Sequence, residues 1–186
     1  MKAIGQPRIE DAAYYTHSIH RLVSLYNLPY LCYKHQNLSA MSYVSSMYHI
    51  VINTYRREKT ISEESKNELY HYIWGIIKRR KCILIRMNAM PEHIHILLEL
   101  NPTERLSDLM RDIKANSSAW IKSSNKMPLF KGWGKEYAAF GVSHEARERV
   151  YNYILNQQEH HRKETFDHEY ERLVGNIGMK TYREDE

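Results

Sequence analysis

The sequence contains no long apolar run, only two cysteines, and three residues each of phenylalanine and tryptophan among its 186. No stretch approaches the roughly 18 apolar residues that a membrane-spanning helix requires, so such a helix is excluded. The cysteines, Cys32 and Cys82, are too far apart in the sequence to form a metal-binding motif. Because no signal peptide is recognisable either, we expect them to be reduced, buried thiols in a cytoplasmic protein.

The composition is that of a globular protein, with an excess of positive charge and of tyrosine. Hydrophobic residues make up 42% of the chain, which excludes a disordered protein, and the length indicates one domain with an extension. The net charge of +5 suits a polyanionic partner without requiring one. The 15 tyrosines can stack on bases and contact phosphate, although most of them are expected to be half-buried surface residues.

Three segments are expected along the chain. Residues 1–40 contain Pro7, Pro29 and several tyrosines, and we interpret them as an N-terminal extension. Residues 41–174 carry the regular hydrophobic patterns of a folded domain. Residues 175–186 end in three acidic side chains and are predicted to be a loose tail.

The hydrophobic patterns of the folded domain predict four strands and three helices. The predicted strands are Tyr48–Asn53, Cys82–Met87, His93–Leu100 and Tyr137–Val142, with a turn at Asn88–Glu92. The predicted helices run from a capping box at Thr60 and Glu63 to Arg80, from Leu106 to about Ile121, and from a cap at Ser143 to about Glu164. This order is that of the split βαβ, ferredoxin-like and RRM-like α+β fold. We therefore expect two helices on one face of an antiparallel sheet and a second face that is free for a ligand.

The third predicted strand carries two histidines on one face. Side chains alternate across a strand, so His93 and His95 are expected on the open face, while Ile94 and Ile96 point toward the helices. Two histidines at i and i+2 can share one cation, because neutral imidazole is a common metal ligand. Taken alone, such a pattern is more often a pair of exposed histidines.

The last predicted helix places a tyrosine and a glutamine one turn apart. Tyr153 and Gln157 are at i and i+4 and project from the same helix face. A tyrosine hydroxyl is a poor nucleophile unaided, and it becomes useful where a metal polarises the phosphate that it attacks. Gln157 can offer a neutral oxygen ligand beside two imidazoles. Taken alone, this pair is more often a packed tyrosine and a solvated glutamine.

Together, these features resemble the single-tyrosine HUH transposases of small bacterial insertion sequences, the IS200-like transposases, and their relatives the REP-associated tyrosine transposases. The resemblance covers roughly residues 43–165. It also includes Tyr48–Val51 in the first strand, Leu106–Leu109 at the start of the second helix and Phe140–Ser143 before the last helix.

The resemblance implies a site and a reaction. His93, His95 and Gln157 would bind a divalent metal, Mg²⁺ or Mn²⁺, and Tyr153, on the C-terminal helix, would be the nucleophile. The enzyme would cleave and rejoin single-stranded DNA through a 5′-phosphotyrosine intermediate during DNA transposition. The resemblance further implies hairpin ends of an insertion element as the substrate and a homodimer as the active form.

Two features complicate the comparison. The family often has a fourth strand of the type Gly-Tyr-Gly-Ala-Phe, whereas this chain has Ala138 and Ala139 in a run that begins at Glu136. Larger residues there would alter how closely DNA approaches the strand. Tyr151 is a rival nucleophile, but its i+4 partner is Leu155, which cannot bind metal, so Tyr153 is preferred.

Basic residues elsewhere are candidates for phosphate contacts, although most charged residues on helices only face solvent. The preferred candidates are Arg56, Arg57, Lys59, Arg111 and Lys114. Arg79, Arg80 and Lys122 are further candidates.

Two alternative functions remain open at this point. A ferredoxin-like sheet can bind single-stranded nucleic acid without catalysis by stacking bases on aromatic side chains, although His93 and His95 stand where such aromatics would be expected. A metal-dependent phosphoesterase that uses water would not need Tyr153. A covalent protein–DNA adduct distinguishes the transposase from both.

Overall fold

The computed structural model describes residues 44–175 of the chain. The predicted extension at residues 1–40, Cys32, and residues 176–186 of the predicted tail lie outside that range. Within it, Cys82 is buried as expected, and burial raises the pKa of its thiol. No helix formed by the described residues is both long enough and apolar enough to cross a membrane.

The described residues form four strands and five α-helices. The strands are β1 (Met47–Asn53), β2 (Ile83–Met90), β3 (His93–Glu99) and β4 (Ala138–Val142). The helices are α1 (Lys66–Arg79), α2 (Leu106–Ser124), α3 (Arg147–Leu155), α4 (Gln157–His160) and α5 (Phe166–Gly175). A single 3-10 turn, Tyr55–Arg57, follows β1.

The sheet confirms the predicted ferredoxin-like α+β fold. Its strand order is β2-β3-β1-β4, and each neighbouring pair is antiparallel. β3 therefore lies inside the sheet with partners on both sides, so that His95 stands opposite Val51 of β1 and Asn88 of β2. Backbone hydrogen bonds on both edges fix the direction of every β3 side chain.

The first face of the sheet carries the main hydrophobic core. Ile94, Ile96 and Leu98 of β3 are fully buried there, against Leu69 of α1 and Leu109 of α2. The predicted alternation along β3 is thus confirmed, since the isoleucines face the helices and the histidines face away from them.

The second face of the sheet is not free, contrary to the prediction. His93, His95 and Leu97 are all 0% exposed, because the chain after β4 folds back across this face. α3 and α4 contact the strands, and α5 places Phe166 on the ring of His93. Phe166 and Val174 of α5 are buried in a small separate cluster. The prediction was wrong because α5 has an apolar side, and this side is buried against the second face of the sheet.

The predicted long helix from Ser143 to Glu164 is also wrong. Asn156 leaves the helical conformation, with φ −96° and ψ 22°, and it separates α3 from α4. Its backbone and side-chain nitrogens both donate to the carbonyl oxygen of Asn152, at 3.1 and 2.9 Å. An asparagine side chain that competes for backbone acceptors in this way weakens helix continuation. Ser143 accepts from the amide of Ala146, one residue before α3 begins.

Two smaller boundaries differ near the turn between β2 and β3. The predicted turn at Asn88–Glu92 shortens to Pro91 and Glu92, because Asn88 pairs with His95 in the sheet. The carbonyl oxygen of Pro91 accepts the amides of Thr60 and Ile61, each at 2.9 Å. These bonds hold the predicted capping box in an extended segment, so α1 begins only at Lys66.

The buried position of Ile96 predicts a large loss of stability on truncation. Ile96→Ala should lower the free energy of unfolding by about 2–5 kcal/mol, because the removed atoms leave a cavity in the core. Urea denaturation followed by circular dichroism measures the change. Ile83→Ala on β2 is the matched control, since Ile83 is 48% exposed and should cost only about 0.5 kcal/mol. Equal losses in the two variants would contradict this description of the core.

Candidate active site

Four side chains from three parts of the chain meet on the second face of the sheet. They are His93 and His95 of β3, His161 after α4, and Glu169 of α5. One ligand atom of each lies within 4.8 Å of the corresponding atoms of the others. The sequence predicted the two strand histidines, whereas His161 and Glu169 were missed.

The distances around Glu169 suit a small cation. Its Oε2 lies 3.0 Å from Nε2 of His161 and 3.7 Å from Nε2 of His93, and its Oε1 lies 3.4 Å from Nε2 of His95. A tetrahedral ion with bonds of about 2.0–2.1 Å holds its ligand atoms roughly 3.3 Å apart. The distances from Glu169 are close to that spacing, whereas the four ligand atoms together lie within 4.8 Å of one another and would have to draw closer around an ion.

Several buried nitrogens and oxygens of this cluster lack hydrogen-bond partners. Among the described residues, the buried side-chain atoms without a partner include both ring nitrogens of His93, Nε2 of His95 and of His161, Oε2 of Glu169 and Oε1 of Gln157. Buried polar atoms are nearly always paired, so a group of unpaired ones marks a place that a ligand fits. The donor set itself, imidazole nitrogen with carboxylate or amide oxygen, is that of a metal site.

Tyr153 and Gln157 reach the same cluster in spite of the helix break at Asn156. The hydroxyl of Tyr153 donates a hydrogen bond to Oε1 of Glu169, and Nε2 of Gln157 donates to the same oxygen at 3.2 Å. The ring of Tyr153 lies edge-on to His95, with 6.0 Å between the ring centroids. All four residues that the sequence nominated for the site therefore lie together.

His49 of β1 supports His95 from behind. Nε2 of His49 lies 2.9 Å from Nδ1 of His95, inside the protein. Burial, together with nearby His95, lowers the pKa of His49 to about 3, so its ring is neutral and Nε2 can accept a hydrogen bond from Nδ1 of His95. That bond would leave the lone pair of His95 on Nε2, where the cluster lies. Strand alternation predicts the shared face of His49 and Val51, but only the structure shows the pairing with His95.

The protonation states of His93 and His95 favour metal binding. Burial lowers the pKa of His93 to about 4 and also lowers the pKa of His95, so both are neutral near pH 7. Burial acts to lower the pKa of His161, but the bond to Glu169 outweighs it and raises that pKa, so an ion would have to compete with a proton there. Burial acts to raise the pKa of Glu169, but His161 and His95 outweigh it and hold that pKa far below its usual range. Burial and the bond to Glu169 raise the pKa of Tyr153, so its hydroxyl keeps its proton.

None of the basic residues nominated for DNA belongs to the His93, His95, His161 and Glu169 cluster, although Arg57 contacts α5 beside it. Arg57 pairs with Asp167 and lies over the ring of Tyr170. Arg111 pairs with Asp108, and Nζ of Lys114 donates to a backbone carbonyl. Arg56 stacks over Tyr55, and Lys59 acts electrostatically on Glu92. Their role in DNA binding stays a prediction.

Comparison with known proteins finds a family whose sequence model matches a large part of the chain. A family model described as transposase, IS200 like, matches residues 42–157. The ISDra2 transposase TnpA of Deinococcus radiodurans is 24% identical over 117 residues, which are 60% of this chain and 84% of that protein.

Two solved structures share the fold. A candidate transposase from Deinococcus radiodurans R1 has a TM-score of 0.52 and 24% identity, over 66% of this chain and 98% of that one. A REP-associated tyrosine transposase bound to a REP hairpin has a TM-score of 0.50 and 15% identity, over 68% of this chain and 74% of that one. These likenesses support the α+β fold and say nothing of individual residues.

The contact between His49 and His95 predicts a loss of metal affinity when it is removed. His49→Phe keeps a ring in the same space but cannot accept a hydrogen bond from His95, so Zn²⁺ binding should weaken by about 10–100-fold. Isothermal titration calorimetry measures the affinity, and near-ultraviolet circular dichroism checks the fold. His71→Phe on the exposed side of α1 is the matched control and should bind like the parent protein. A folded His49→Phe protein with unchanged affinity would refute the supporting role.

Proposed function

This chain belongs to the IS200-like transposase family, and we propose that it cleaves and rejoins single-stranded DNA with Tyr153 as its nucleophile. The observation that chiefly supports the proposal is the meeting of Tyr153 and Gln157 with His93 and His95 on one face of the sheet. Three separate segments of the chain contribute these side chains. Simple packing of a tyrosine would not require a glutamine and two histidines to lie beside it.

The proposed cation ligands are His93, His95 and Gln157. A divalent ion held there, Mg²⁺ or Mn²⁺, would neutralise charge that develops on the scissile phosphate. The two imidazoles are neutral, as metal ligands must be. Gln157 turns its amide nitrogen toward Glu169, and a half rotation of that amide exchanges the nitrogen for its unpaired oxygen. Because imidazole suits Zn²⁺ and Ni²⁺ better than Mg²⁺, assays should compare several ions.

Tyr153 carries the proposed chemical step. Its hydroxyl oxygen attacks the phosphorus of one phosphodiester, loses its proton, and forms a 5′-phosphotyrosine bond. The bond between that phosphorus and the 3′ oxygen breaks, and the departing oxygen takes up a proton to become a 3′-hydroxyl. Attack by another 3′-hydroxyl on the phosphotyrosine reverses the step and joins new DNA, so the reaction needs no external energy source.

The proposed partner is the hairpin end of an insertion element. The related REP-associated tyrosine transposase is bound to a REP hairpin, which supports a hairpin substrate for this chain as well. Phosphate contacts are proposed for Arg56, Arg57, Lys59, Arg111 and Lys114, since cations on the surface supply the sequence-independent part of DNA binding.

The proposed active form is a homodimer. Multi-angle light scattering of the full chain should then give about twice the mass of 22.3 kDa at the concentrations used for DNA cleavage. A monomer mass under those conditions would contradict the dimer without bearing on the nucleophile.

Tyrosine chemistry predicts a covalent adduct that depends on one hydroxyl. The protein, Mn²⁺ and labelled single-stranded DNA from the flanks of its gene should give a slowly migrating band that resists SDS. Tyr153→Phe should abolish the band. Tyr151→Phe is the matched control and should retain it, because Tyr151 lies beside Arg86 instead of in the cluster.

Each other outcome of that assay has a definite meaning. An adduct that persists in Tyr153→Phe refutes the assigned nucleophile. Tight DNA binding with no adduct in any variant favours a non-catalytic binding module, and cleavage with multiple turnovers but no adduct favours a phosphoesterase that uses water.

A further inference from the structure

We propose that His161 and Glu169 are additional ligands of the ion held by His93 and His95, and that they close the site to DNA until α5 moves away. The proposal rests on the proposed function for the identity of the site. Its claim about metal ligands can nevertheless be tested without DNA. An experiment can therefore refute this proposal without refuting the proposed function, and the reverse.

The number of protein ligands is the first argument. Catalytic zinc-type sites have three protein ligands and leave one position for water or substrate, whereas structural sites are closed by four. Here one ligand atom from each of four side chains lies within 4.8 Å of the other three. Oε2 of Glu169 is 3.0 Å from Nε2 of His161 and 3.7 Å from Nε2 of His93, and its Oε1 is 3.4 Å from Nε2 of His95. Three imidazoles and one carboxylate would complete a tetrahedron, which leaves no position for a phosphate oxygen and none for Gln157 until α5 moves away.

Burial is the second argument. His93, His95, Gln157 and Glu169 are all 0% exposed. DNA phosphate cannot contact these side chains while the helices stay where they are. The residue that fills the space is itself an anion, so Glu169 occupies the place where an anionic phosphate would bind next to the cation.

Side chains of α5 also contact the hydroxyl of Tyr153. The hydroxyl of Tyr153 donates a hydrogen bond to Glu169, and Nη2 of Arg172, also on α5, lies 3.4 Å from that hydroxyl. A hydroxyl that is already bonded to a carboxylate on one helix cannot point at a phosphorus atom. Movement of α5 would therefore free the metal site and the attacking oxygen together.

The attachment of α5 is limited enough to permit this movement. Phe166 stacks on the ring of His93, with 4.0 Å between centroids, and Asp167 pairs with Arg57. The apolar contacts of α5 belong to the small second cluster, which is separate from the main core between the sheet and α1 and α2. Local opening with few buried apolar contacts is far less costly than global unfolding.

Cobalt binding by the full-length protein tests the ligand set directly. Metal-free protein titrated with Co²⁺ should bind one equivalent and develop the intense visible absorption of four-coordinate cobalt. Glu169→Gln and His161→Gln should each weaken Co²⁺ binding by about tenfold or more and replace the bands with the weak ones of a six-coordinate ion. Glu171→Gln, on the exposed side of α5, is the matched control and should leave both unchanged.

Unchanged cobalt affinity and unchanged bands in Glu169→Gln and His161→Gln would overturn the proposal. Glutamine preserves the size of Glu169, and circular dichroism confirms that the variants are folded. Such a result would leave the assignment of Tyr153 as the nucleophile untouched, since that assignment depends on the adduct alone.

DNA cleavage tests the closing role. At saturating Mn²⁺, Glu169→Gln should form the covalent adduct several-fold faster than the parent protein, because neither the ion nor Tyr153 is then held by the carboxylate. An unchanged or slower rate would overturn the closing role and assign Glu169 to a supporting part in cleavage. Absence of the adduct from the parent protein and from every variant would refute the proposed function. The cobalt spectra alone would then show whether His161 and Glu169 are metal ligands.

Discussion

The structure on the second face of the sheet depends on two fully buried imidazoles whose ring nitrogens are not all hydrogen-bonded. His93 and His95 are held rigidly, because β3 is paired on both edges and its alternate residues are fixed in the main core. Buried nitrogens without partners are costly, and the cost is lowered only by a ligand or by a side chain brought to them. Glu169 and His161 approach from later in the chain to this fixed point, as do Tyr153 and Gln157.

The same carboxylate links the stability of the fold to the chemistry of the site. Glu169 of α5 lies beside His95 and accepts a hydrogen bond from Tyr153. Under the proposal above, this one side chain would decide whether the metal site and the nucleophile are closed or accessible. A transposase of this kind would be stable and inactive at rest. A DNA phosphate would have to compete with the carboxylate of Glu169 for the cation. Binding of the substrate would then be the step that opens the site.

Local pattern predicted the strands of the sheet and the directions of the four side chains that the family resemblance nominated, whose roles stay a prediction. The alternation along β3 fixed the direction of His93 and His95, and the i and i+4 spacing kept Tyr153 and Gln157 together even though the helix breaks between them at Asn156. His161 and Glu169 were missed because their significance lies in contacts across the fold. Glu169 shares a helix face with Phe166 and Leu173, and a buried acid in an apolar face has meaning only once the histidines opposite it are seen.

Anomalous X-ray diffraction from crystals of the protein grown with Zn²⁺ tests the central claim most directly. The account predicts a single strong zinc peak on the second face of the sheet, about 2.0–2.1 Å from Nε2 of both His93 and His95. A structure with zinc only at surface histidines, and with those two ring nitrogens still without a ligand, would contradict it.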